Sequence, residues 1–253
     1  FRSGSTEGSV EDGPDGNGSS WNKAFKYLQN ALAVAKDGNE IWVAEGIYKP
    51  DQNSALPGGS GLRADTFQLK AGVSIFGGFA GQITGPQIRN WTSYNNTILS
   101  GDINTPGDNN DNSYNVVTGA DNAKLDGFTI TAGNSRGYGG GICCDGTSPS
   151  VSNCVIRNNK ARGGSGMYNY NYNNGSQTIT NCFFIGNTGT SAVYNKYSSP
   201  TLTNCVFTGN ERAVANGGTA SPALINCTFS GNGTETSYGG AMSNAGGAAP
   251  TIT

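Results

Sequence analysis

Short apolar runs recur at near-regular spacing through the second half of the chain. Four segments superpose around a central cysteine: residues 149–159, 176–187, 199–210 and 221–232. Their cysteines are 28, 23 and 22 residues apart: Cys154, Cys182, Cys205 and Cys227. A divergent copy at 125–134 precedes them, and a second apolar strand lies between successive copies. Repeats of this length, built from β-branched runs and glycine turns, are typical of a β-solenoid.

The parity of the apolar positions predicts a corner within each copy. Leu202 and Cys205 would lie on opposite faces of a straight strand, because their separation is odd. A bend at Asn204 puts both side chains inside, since asparagine tolerates a left-handed backbone. Aligned copies then form inward ladders on three sheets, and we predict a right-handed parallel β-helix. The ladders other than the cysteines are Val151, Ile179, Leu202 and Leu224; Ile156, Phe184, Phe207 and Phe229; and Ile142, Met167, Val193, Val214 and Met242.

Helical periodicity is confined to residues 19–36. Their apolar side chains share one face, Ser19 or Ser20 can cap, and the face comprises Trp21, Phe25, Leu28, Leu32 and Ala35. An open β-helix exposes a strand edge, so we expect this helix to be the N-terminal cap. The prediction is a single domain that divides into a cap at 1–40, irregular early coils with long loops at 41–126, and regular coils at 127–253 that stop in mid-coil.

Composition narrows the function classes. Forty of the 253 residues are glycine, which suits a chain that turns often, whereas only 13% are charged and the net charge is −2. Neither half has the basic density of a nucleic-acid binder, and no apolar run reaches the length of a membrane helix. The chain has no histidine, which excludes imidazole bases and His-ligated metals. We therefore expect no nucleic-acid partner and no transmembrane segment.

Two recurring motifs resemble a known group. Gly-Gly-Ala-hydrophobic at 239–242 and Phe-x-x-Asn at 207–210 resemble the repeats of chlamydial polymorphic outer-membrane proteins. They are also similar to pectate-lyase-like β-helix proteins of bacterial cell surfaces, and the first half is similar to secreted β-helix proteins of Bacteroidetes. The resemblance implies the β-helix fold and an extracellular or cell-surface location. It implies no particular activity, because this fold hosts lyases, hydrolases and adhesins alike.

Cysteine and asparagine ladders are expected to be structural. Successive coils are about 4.8 Å apart, whereas a disulfide needs Cβ atoms about 4 Å apart, so a ladder of buried thiols is favoured over bridges. One asparagine rank is predicted to stack at the inner corner and bond neighbouring coils: Asn153, Asn181, Asn204 and Asn226. A second is predicted to include Asp145: Asn169, Asn195, Asn216 and Asn244.

The candidate metal ligands lie in an acidic insertion. Asp102, Asp108 and Asp111 occur there with Asn109, Asn110 and Asn112, and hard oxygen ligands on a loop suit Ca²⁺. Residues 11–17 have similar chemistry. Neither stretch has EF-hand spacing, and turn-forming Asx residues are the favoured alternative.

The candidate ligand-binding surface is aromatic. Alternation after Met167 points three tyrosines outward, and two follow one coil later: Tyr168, Tyr170, Tyr172, Tyr194 and Tyr197. Arg157, Lys160 and Arg162 flank them near the turns. Rows of outward tyrosine suit sugar rings or a protein partner, so the predicted partner is a polysaccharide, a surface glycan or a protein.

Catalysis has little support among the regular coils. Their only carboxylates are Asp145, Glu211 and Glu235, which lie several coils apart, whereas glycosidases need clustered carboxylates. The sequence favours a non-catalytic exported protein in adhesion, glycan binding or surface structure. The alternative is a polysaccharide lyase or glycoside hydrolase, of which a lyase fits better. A remote alternative is an ice-binding protein, because outward Thr-x-Thr pairs recur at 178–180, 201–203 and 251–253.

Overall fold

The strands of each coil pair in parallel with the equivalent strands of the next coil. The computed structural model describes the backbone of residues 2–3 and, with side chains, residues 16–81, 89, 96–172, 175–234 and 239–253. Within them, the strands form three sheets of nine, seven and seven strands, all of whose strand pairs run parallel. Each complete coil visits the first, second and third sheet in turn. This is the right-handed parallel β-helix that the repeats predict.

The strands are short, and their bounds define the coils. The first sheet contains β1 (Arg2–Ser3), β2 (Glu40–Ala44), β5 (Ser74–Phe79), β8 (Lys124–Asp126), β11 (Ser150–Ser152), β14 (Thr178–Thr180), β17 (Thr201–Thr203), β20 (Ala223–Ile225) and β23 (Thr251–Ile252). The second contains β3 (Gly46–Tyr48), β6 (Thr97–Ser100), β9 (Thr129–Thr131), β12 (Val155–Arg157), β15 (Phe183–Ile185), β18 (Val206–Thr208) and β21 (Thr228–Ser230). The third contains β4 (Phe67–Gln68), β7 (Val117–Thr118), β10 (Ile142–Asp145), β13 (Met167–Tyr170), β16 (Val193–Lys196), β19 (Val214–Gly217) and β22 (Met242–Asn244).

The predicted inward ladders are confirmed residue by residue. Leu202 pairs with Ile179 and Leu224 on the first sheet, and Phe207 pairs with Phe184 and Phe229 on the second. The third-sheet ladder from Ile142 to Met242 is also in register. The phenylalanine rings stack at 4.8 and 5.1 Å between centroids. The core is therefore a narrow column in which each side chain packs on its equivalents in the adjacent coils.

The corner asparagines have the left-handed conformation that the parity argument requires. Their φ angles are +52°, +54°, +54° and +51° at Asn153, Asn181, Asn204 and Asn226. Each side-chain amide of the last three donates to the preceding member, at 2.7–3.2 Å. The predicted inner position is wrong, because three of these four side chains are exposed. The left-handed backbone turns the asparagine outward while the following cysteine turns inward.

Two further asparagine ranks lie inside the coils, and all their members except the last of each rank are buried. Asn169, Asn195, Asn216 and Asn244 are linked amide to amide at 2.7–2.9 Å, as predicted. Asp145 does not belong to this rank, because Cys144 pairs with Asn169 while Asp145 pairs with the outward Tyr170. The third rank was not predicted as a ladder, although it includes the asparagine of the Phe-x-x-Asn motif: Asn159, Asn187, Asn210 and Asn232.

All six cysteines are unbridged in the structure. The four repeat cysteines hydrogen-bond instead to main-chain carbonyls, such as Cys154 Sγ to Ser152 O at 3.1 Å and Cys182 Sγ to Thr180 O at 3.3 Å. Burial raises the pKa of the Cys144 and Cys182 thiols well above the usual value. Cys144 and Cys182 therefore serve as small core side chains rather than nucleophiles.

The predicted helix over 19–36 is too long. The structure has a 3-10 turn at Trp21–Lys23 and α1 at Leu28–Val34, separated by extended backbone at Ala24 and Tyr27. Neither predicted serine caps α1. The break has a packing reason, because Trp21 joins a separate cluster with Phe79 whereas Leu28 packs into the main core. α1 contacts β1, β2 and β4 and so lies over the first coil. No helix in the described residues is long and apolar enough to cross a membrane.

Candidate functional site

A patch of tyrosines covers the outer face of the third sheet. On β13, Met167 and Asn169 point into the core, so Tyr168 and Tyr170 point outward, as the alternation predicts. Tyr194 on β16 is in register with Tyr168, and Lys196 with Tyr170. Tyr172 and Tyr197 follow at the turn toward the first sheet. Together with Tyr138, these six residues form what we call the tyrosine face: Tyr138, Tyr168, Tyr170, Tyr172, Tyr194 and Tyr197.

The rings of the tyrosine face contact one another in an unbroken series. Tyr138 stacks on Tyr168 at 4.6 Å between centroids, and Tyr168 lies 6.0 Å from Tyr170. Tyr170 meets Tyr172 edge to face at 5.1 Å, and Tyr172 stacks on Tyr197 at 4.2 Å. Tyr194 closes the cluster at 5.7 Å from Tyr168. The series spans the width of the sheet from one turn to the other.

The rings of the tyrosine face differ in their exposure to solvent: some lie buried beneath their neighbours, and others are accessible. Tyr172 and Tyr138 are 62% and 44% exposed, whereas Tyr168 is only 6% exposed beneath its neighbours. The interpretation of Tyr168 as an exposed ligand-binding residue is therefore wrong. Tyr138 was missed because it lies in an irregular turn, where alternation carries no signal, and a single bridge to Gly163 aligns it with the face.

Glycines form the floor on which the rings lie. A Cβ added at Gly163 would lie 2.7 Å from the Tyr138 ring and 3.0 Å from the Tyr194 ring, and one at Gly218 would collide with the Tyr197 ring. Tyr197 itself has φ +55°. Among the described residues, the other non-glycine positions with positive φ are seven asparagines and Ala132. A bulky residue in this conformation is strained, and such strain is concentrated at functional sites.

The predicted basic residues do not all belong to the face. Arg157 lies on β12 in the second sheet, around the corner from the tyrosines, so its assignment to this surface is wrong. Lys160 and Arg162 are exposed in the turn that leads to the third sheet, with Arg162 next to Gly163 of the floor. Lys196 lies close to the rings, with Nζ 6.0 Å from the Tyr170 centroid and 5.9 Å from the Tyr197 centroid. Lys196 was not among the residues predicted for this surface.

The acidic loop binds its own backbone. Asp102 accepts from Gly107 N at 3.1 Å, Asp111 from Thr105 N at 3.0 Å, and Asp108 from Asn110 N at 2.9 Å. In the part of the chain that the structure describes, no group of three or more His, Cys, Asp or Glu side chains could hold a metal ion. The arrangement favours the turn-forming interpretation of this loop. Of the second acidic stretch, 11–17, only Gly16 and Asn17 lie within the described residues.

Two further carboxylates, those of Glu211 and Asp126, are bonded to other groups of the protein. Glu211 accepts from Gly189 N at 2.6 Å, and Glu235 lies outside the described residues. Asp126 is buried and bonded to Arg89 at 2.5 Å. Burial opposes its ionisation, but hydrogen bonds from Ser152, Arg89 and Asn153 hold its pKa below the usual value. Both oxygens of the Asp126 carboxylate therefore accept hydrogen bonds. The bond from Asn153 places Asp126 directly before the first asparagine of the corner rank.

The Thr-x-Thr pairs are aligned over only two adjacent coils. Thr178 and Thr180 pair with Thr201 and Thr203, but the next coil presents Ala223 and Ile225. The outer face of the first sheet is therefore not a continuous threonine array.

The fold defines this chain as a right-handed parallel β-helix protein. Comparison with known proteins agrees with this class. Residues 11–244 match the family described as "Protein of unknown function (DUF1565)", and the chain belongs to this family. None of the curated proteins matches it.

Similar solved structures are pectin methylesterases. The enzyme from carrot is 13% identical with a TM-score of 0.51, covering 90% of this chain and 62% of the carrot chain. An Aspergillus niger pectin methylesterase in deglycosylated form is 12% identical, with a TM-score of 0.48, covering 85% of this chain and 66% of its own. This chain thus spans less than two thirds of the length of the carrot enzyme. At such identities the likeness concerns the fold alone.

Burial of the tyrosine face predicts alkaline sensitivity. Burial, with smaller contributions from Tyr138 and Asp145, raises the pKa of Tyr168, and burial also raises that of Tyr194. Tyrosines in the unfolded chain lose their protons near pH 10, before Tyr168 does in the folded chain. The unfolded state then binds fewer protons, so we expect the melting temperature to fall as the pH rises above about 10.

Tyr168→Phe should make this fall shallower, and thermal melts between about pH 9 and 11.5 would measure it. Tyr27→Phe, which lies outside the face, is the matched control. An equal alkaline slope in the wild type and Tyr168→Phe would contradict the assignment.

Proposed function

We propose that this chain binds carbohydrate along the tyrosine face, as a non-catalytic exported β-helix protein that acts in adhesion or surface structure. Its location would be the bacterial cell surface or the extracellular space, as the motif resemblance suggests. The observation that carries the proposal is the series of six contacting rings on the third sheet and its adjoining turns, in which Tyr138 and Tyr172 are accessible. Sugar rings stack on such aromatic surfaces, and tyrosine hydroxyls add hydrogen bonds.

Preorganisation supports a binding role for these rings. Mutual stacking and the glycine floor fix the tyrosines before any ligand arrives, so little side-chain entropy is lost on binding. The strained backbone of Tyr197 also supports a binding role, because asparagine or glycine would adopt this conformation at a lower cost in free energy. A flat face also suits an extended chain of sugars better than a single small molecule, which needs a concave pocket.

Charge near the face favours an acidic or neutral glycan. Lys196 lies within 6.0 Å of two ring centroids, and Arg162 is exposed in the adjacent turn. Asp145, in register with Tyr170, offsets part of this charge. Salt should therefore weaken binding of an acidic glycan moderately, because the cations are solvent-exposed and screened.

A polysaccharide lyase or hydrolase is the rival function, with its active groups in the early loops or outside residues 1–253. The carrot protein of similar fold is by name a pectin methylesterase, so pectin-like acidic polysaccharides belong among the ligands tested. Incubation with uronic-acid glycans and calcium, followed by absorbance of unsaturated products, would detect a lyase. Sustained turnover would overturn the non-catalytic proposal.

The binding site is tested by removing the accessible rings. We expect Tyr170→Ala combined with Tyr172→Ala to weaken glycan binding about tenfold, since two stacking rings that each contribute about 0.7 kcal/mol together account for about 1.4 kcal/mol. Binding is measured by glycan array and then by calorimetry with the best glycan. Replacing both residues with phenylalanine should retain most of the affinity, because the ring faces remain.

Thr178→Ala combined with Thr180→Ala is the matched control, because these outward residues lie on the first sheet one turn further along the chain. The control should bind like the wild type. Affinity unchanged by the tyrosine pair, or lost equally in the threonine pair, would remove the tyrosine face as the site.

A further inference from the structure

A cavity of about 470 Å³ lies between α1 and the long loop, residues 49–66, that joins β3 to β4. Its lining includes Gln29 and Asn30 from the helix and Asp51, Ser60 and Asp65 from the loop. Gln29 Nε2 donates to Pro50 O and, at 2.9 Å, to Thr66 O, so it joins the helix to both ends of the loop. The cavity therefore lies where the N-terminal cap meets the first coil, away from the tyrosine face.

Asp51 is a buried carboxylate with an unsatisfied oxygen. The residue is only 4% exposed, and its Oδ1 has no hydrogen-bond partner. Its Oδ2 accepts one long bond, from Gly61 N at 3.3 Å. Among the described residues, neither ion pair in the structure involves Asp51. An ionised carboxylate in such a place is costly unless a positive charge compensates it.

The loop closes around this carboxylate as a cradle. Gly59 and Gly61 have φ angles of +89° and +70°, and a Cβ at Gly59 would collide with Asp51 Oδ2. Ser60 N donates to Asp51 O at 3.1 Å. Gly59 therefore allows the main chain to approach the carboxylate more closely than any other residue would permit.

A second carboxylate, that of Asp65, is held by Ser60, the residue whose main-chain N bonds the main chain of Asp51. The Ser60 hydroxyl donates to Asp65 Oδ2 and accepts from Leu62 N at 3.0 Å. Asp65 is held in turn by a bond from its own N to Leu62 O at 3.0 Å. The cavity is thus lined by residues that carry two carboxylates and a hydroxyl, all of them hard oxygen ligands.

We propose that this cavity binds a divalent hard cation, Ca²⁺, with Asp51 and Asp65 as its charged ligands. Two carboxylates neutralise the ion, and Ca²⁺ accepts six to eight oxygens in irregular geometry, including carbonyls and water. Mg²⁺ fits less well because it requires near-octahedral ligands at shorter distances. The ion would tie the loop to α1 and stabilise the capped end of the solenoid. This site is distinct from the loop containing Asp102, Asp108 and Asp111, and it does not depend on glycan binding.

The test compares thermal melts of the full chain after chelation with melts in millimolar CaCl₂ or MgCl₂. We expect Ca²⁺ to raise the melting temperature by about 5 °C, and Mg²⁺ to raise it much less. Calorimetric titration of the chelated protein with CaCl₂ should show one site. Asp51→Asn should weaken Ca²⁺ binding at least tenfold and abolish the thermal shift, and Asp65→Asn should weaken both.

Asp102→Asn is the matched control for each of these single variants, since it likewise removes one carboxylate charge, from the neighbouring acidic loop. Ca²⁺ binding should survive in this control. Equal melting temperatures with and without Ca²⁺ in the wild type, or a Ca²⁺ response retained in Asp51→Asn and lost in the control, would overturn the proposal. If Asp51→Asn does not fold, Asp65→Asn and the wild-type titration still decide it.

Discussion

Replacing Phe207 with alanine should lower the free energy of unfolding by about 3–5 kcal/mol. The side chain is fully buried, and its ring is stacked between Phe184 at 4.8 Å and Phe229 at 5.1 Å. Truncation removes both stacking contacts and leaves a cavity in a column too narrow to collapse around it. Chemical denaturation monitored by circular dichroism would measure the loss.

Phe207→Leu is the conservative comparison and should cost about 1–1.5 kcal/mol, because it preserves most of the volume. The intact β-helix should keep its glycan affinity in this variant, since the ladder points away from the tyrosine face. A loss below about 1 kcal/mol for Phe207→Ala would contradict the interior position of the second-sheet ladder.

Asn187→Ala should destabilise the protein by about 3 kcal/mol, although it removes only a small amide. Asn187 is fully buried, and its Nδ2 donates to Ile156 O at 2.9 Å and Asn210 Oδ1 at 3.1 Å. Its Oδ1 accepts from the main-chain N of Asn159 at 3.1 Å. Alanine leaves the buried main-chain N of Asn159 without this acceptor, although Asn210 Oδ1 still accepts from the main-chain N of residue 187. Unpaired buried polar groups cost more than the bonds contributed.

Asn181→Gly provides the matched control from the exposed corner rank. It removes one amide from a ladder of similar bonds, but water replaces the lost partners, and glycine accepts the φ of +54° without strain. We expect a loss below about 1 kcal/mol, measured by the same denaturation. Equal losses in the two variants would show that burial does not distinguish these ranks.

The motifs behind the family resemblance are explained by these packing roles. The asparagine of Phe-x-x-Asn is a member of the buried rank, as Asn210 shows, and its phenylalanine is a member of the stacked ladder. In the other motif, a Cβ at Gly240 would collide with Asn232 O of the preceding turn. Both motifs therefore specify how coils stack, which is why they indicate fold and say little about ligand.

Much of the tyrosine face could be predicted, but its accessibility could not. Alternation along β13 is a property of consecutive residues, so the outward direction of Tyr168 and Tyr170 was readable from the sequence. The burial of Tyr168 depends on Tyr138 and Tyr194, which come from other coils and reach it through turns of irregular length. Arg157 shows the same limit, because a corner rather than sequence distance separates it from the face.

The sequence is sufficient to predict the coil. The parity of the apolar positions, the corner asparagines and the cysteine spacing together specify three sheets and their register. These signals are local and repeat at each coil, so neighbouring copies reinforce one another. Three features depend on the tertiary structure: the break before α1, the exposure of each tyrosine ring, and the burial of the Asp51 carboxylate away from positive charges. Each of these depends on which loops meet across coils, and long loops carry no periodicity from which that meeting could be predicted.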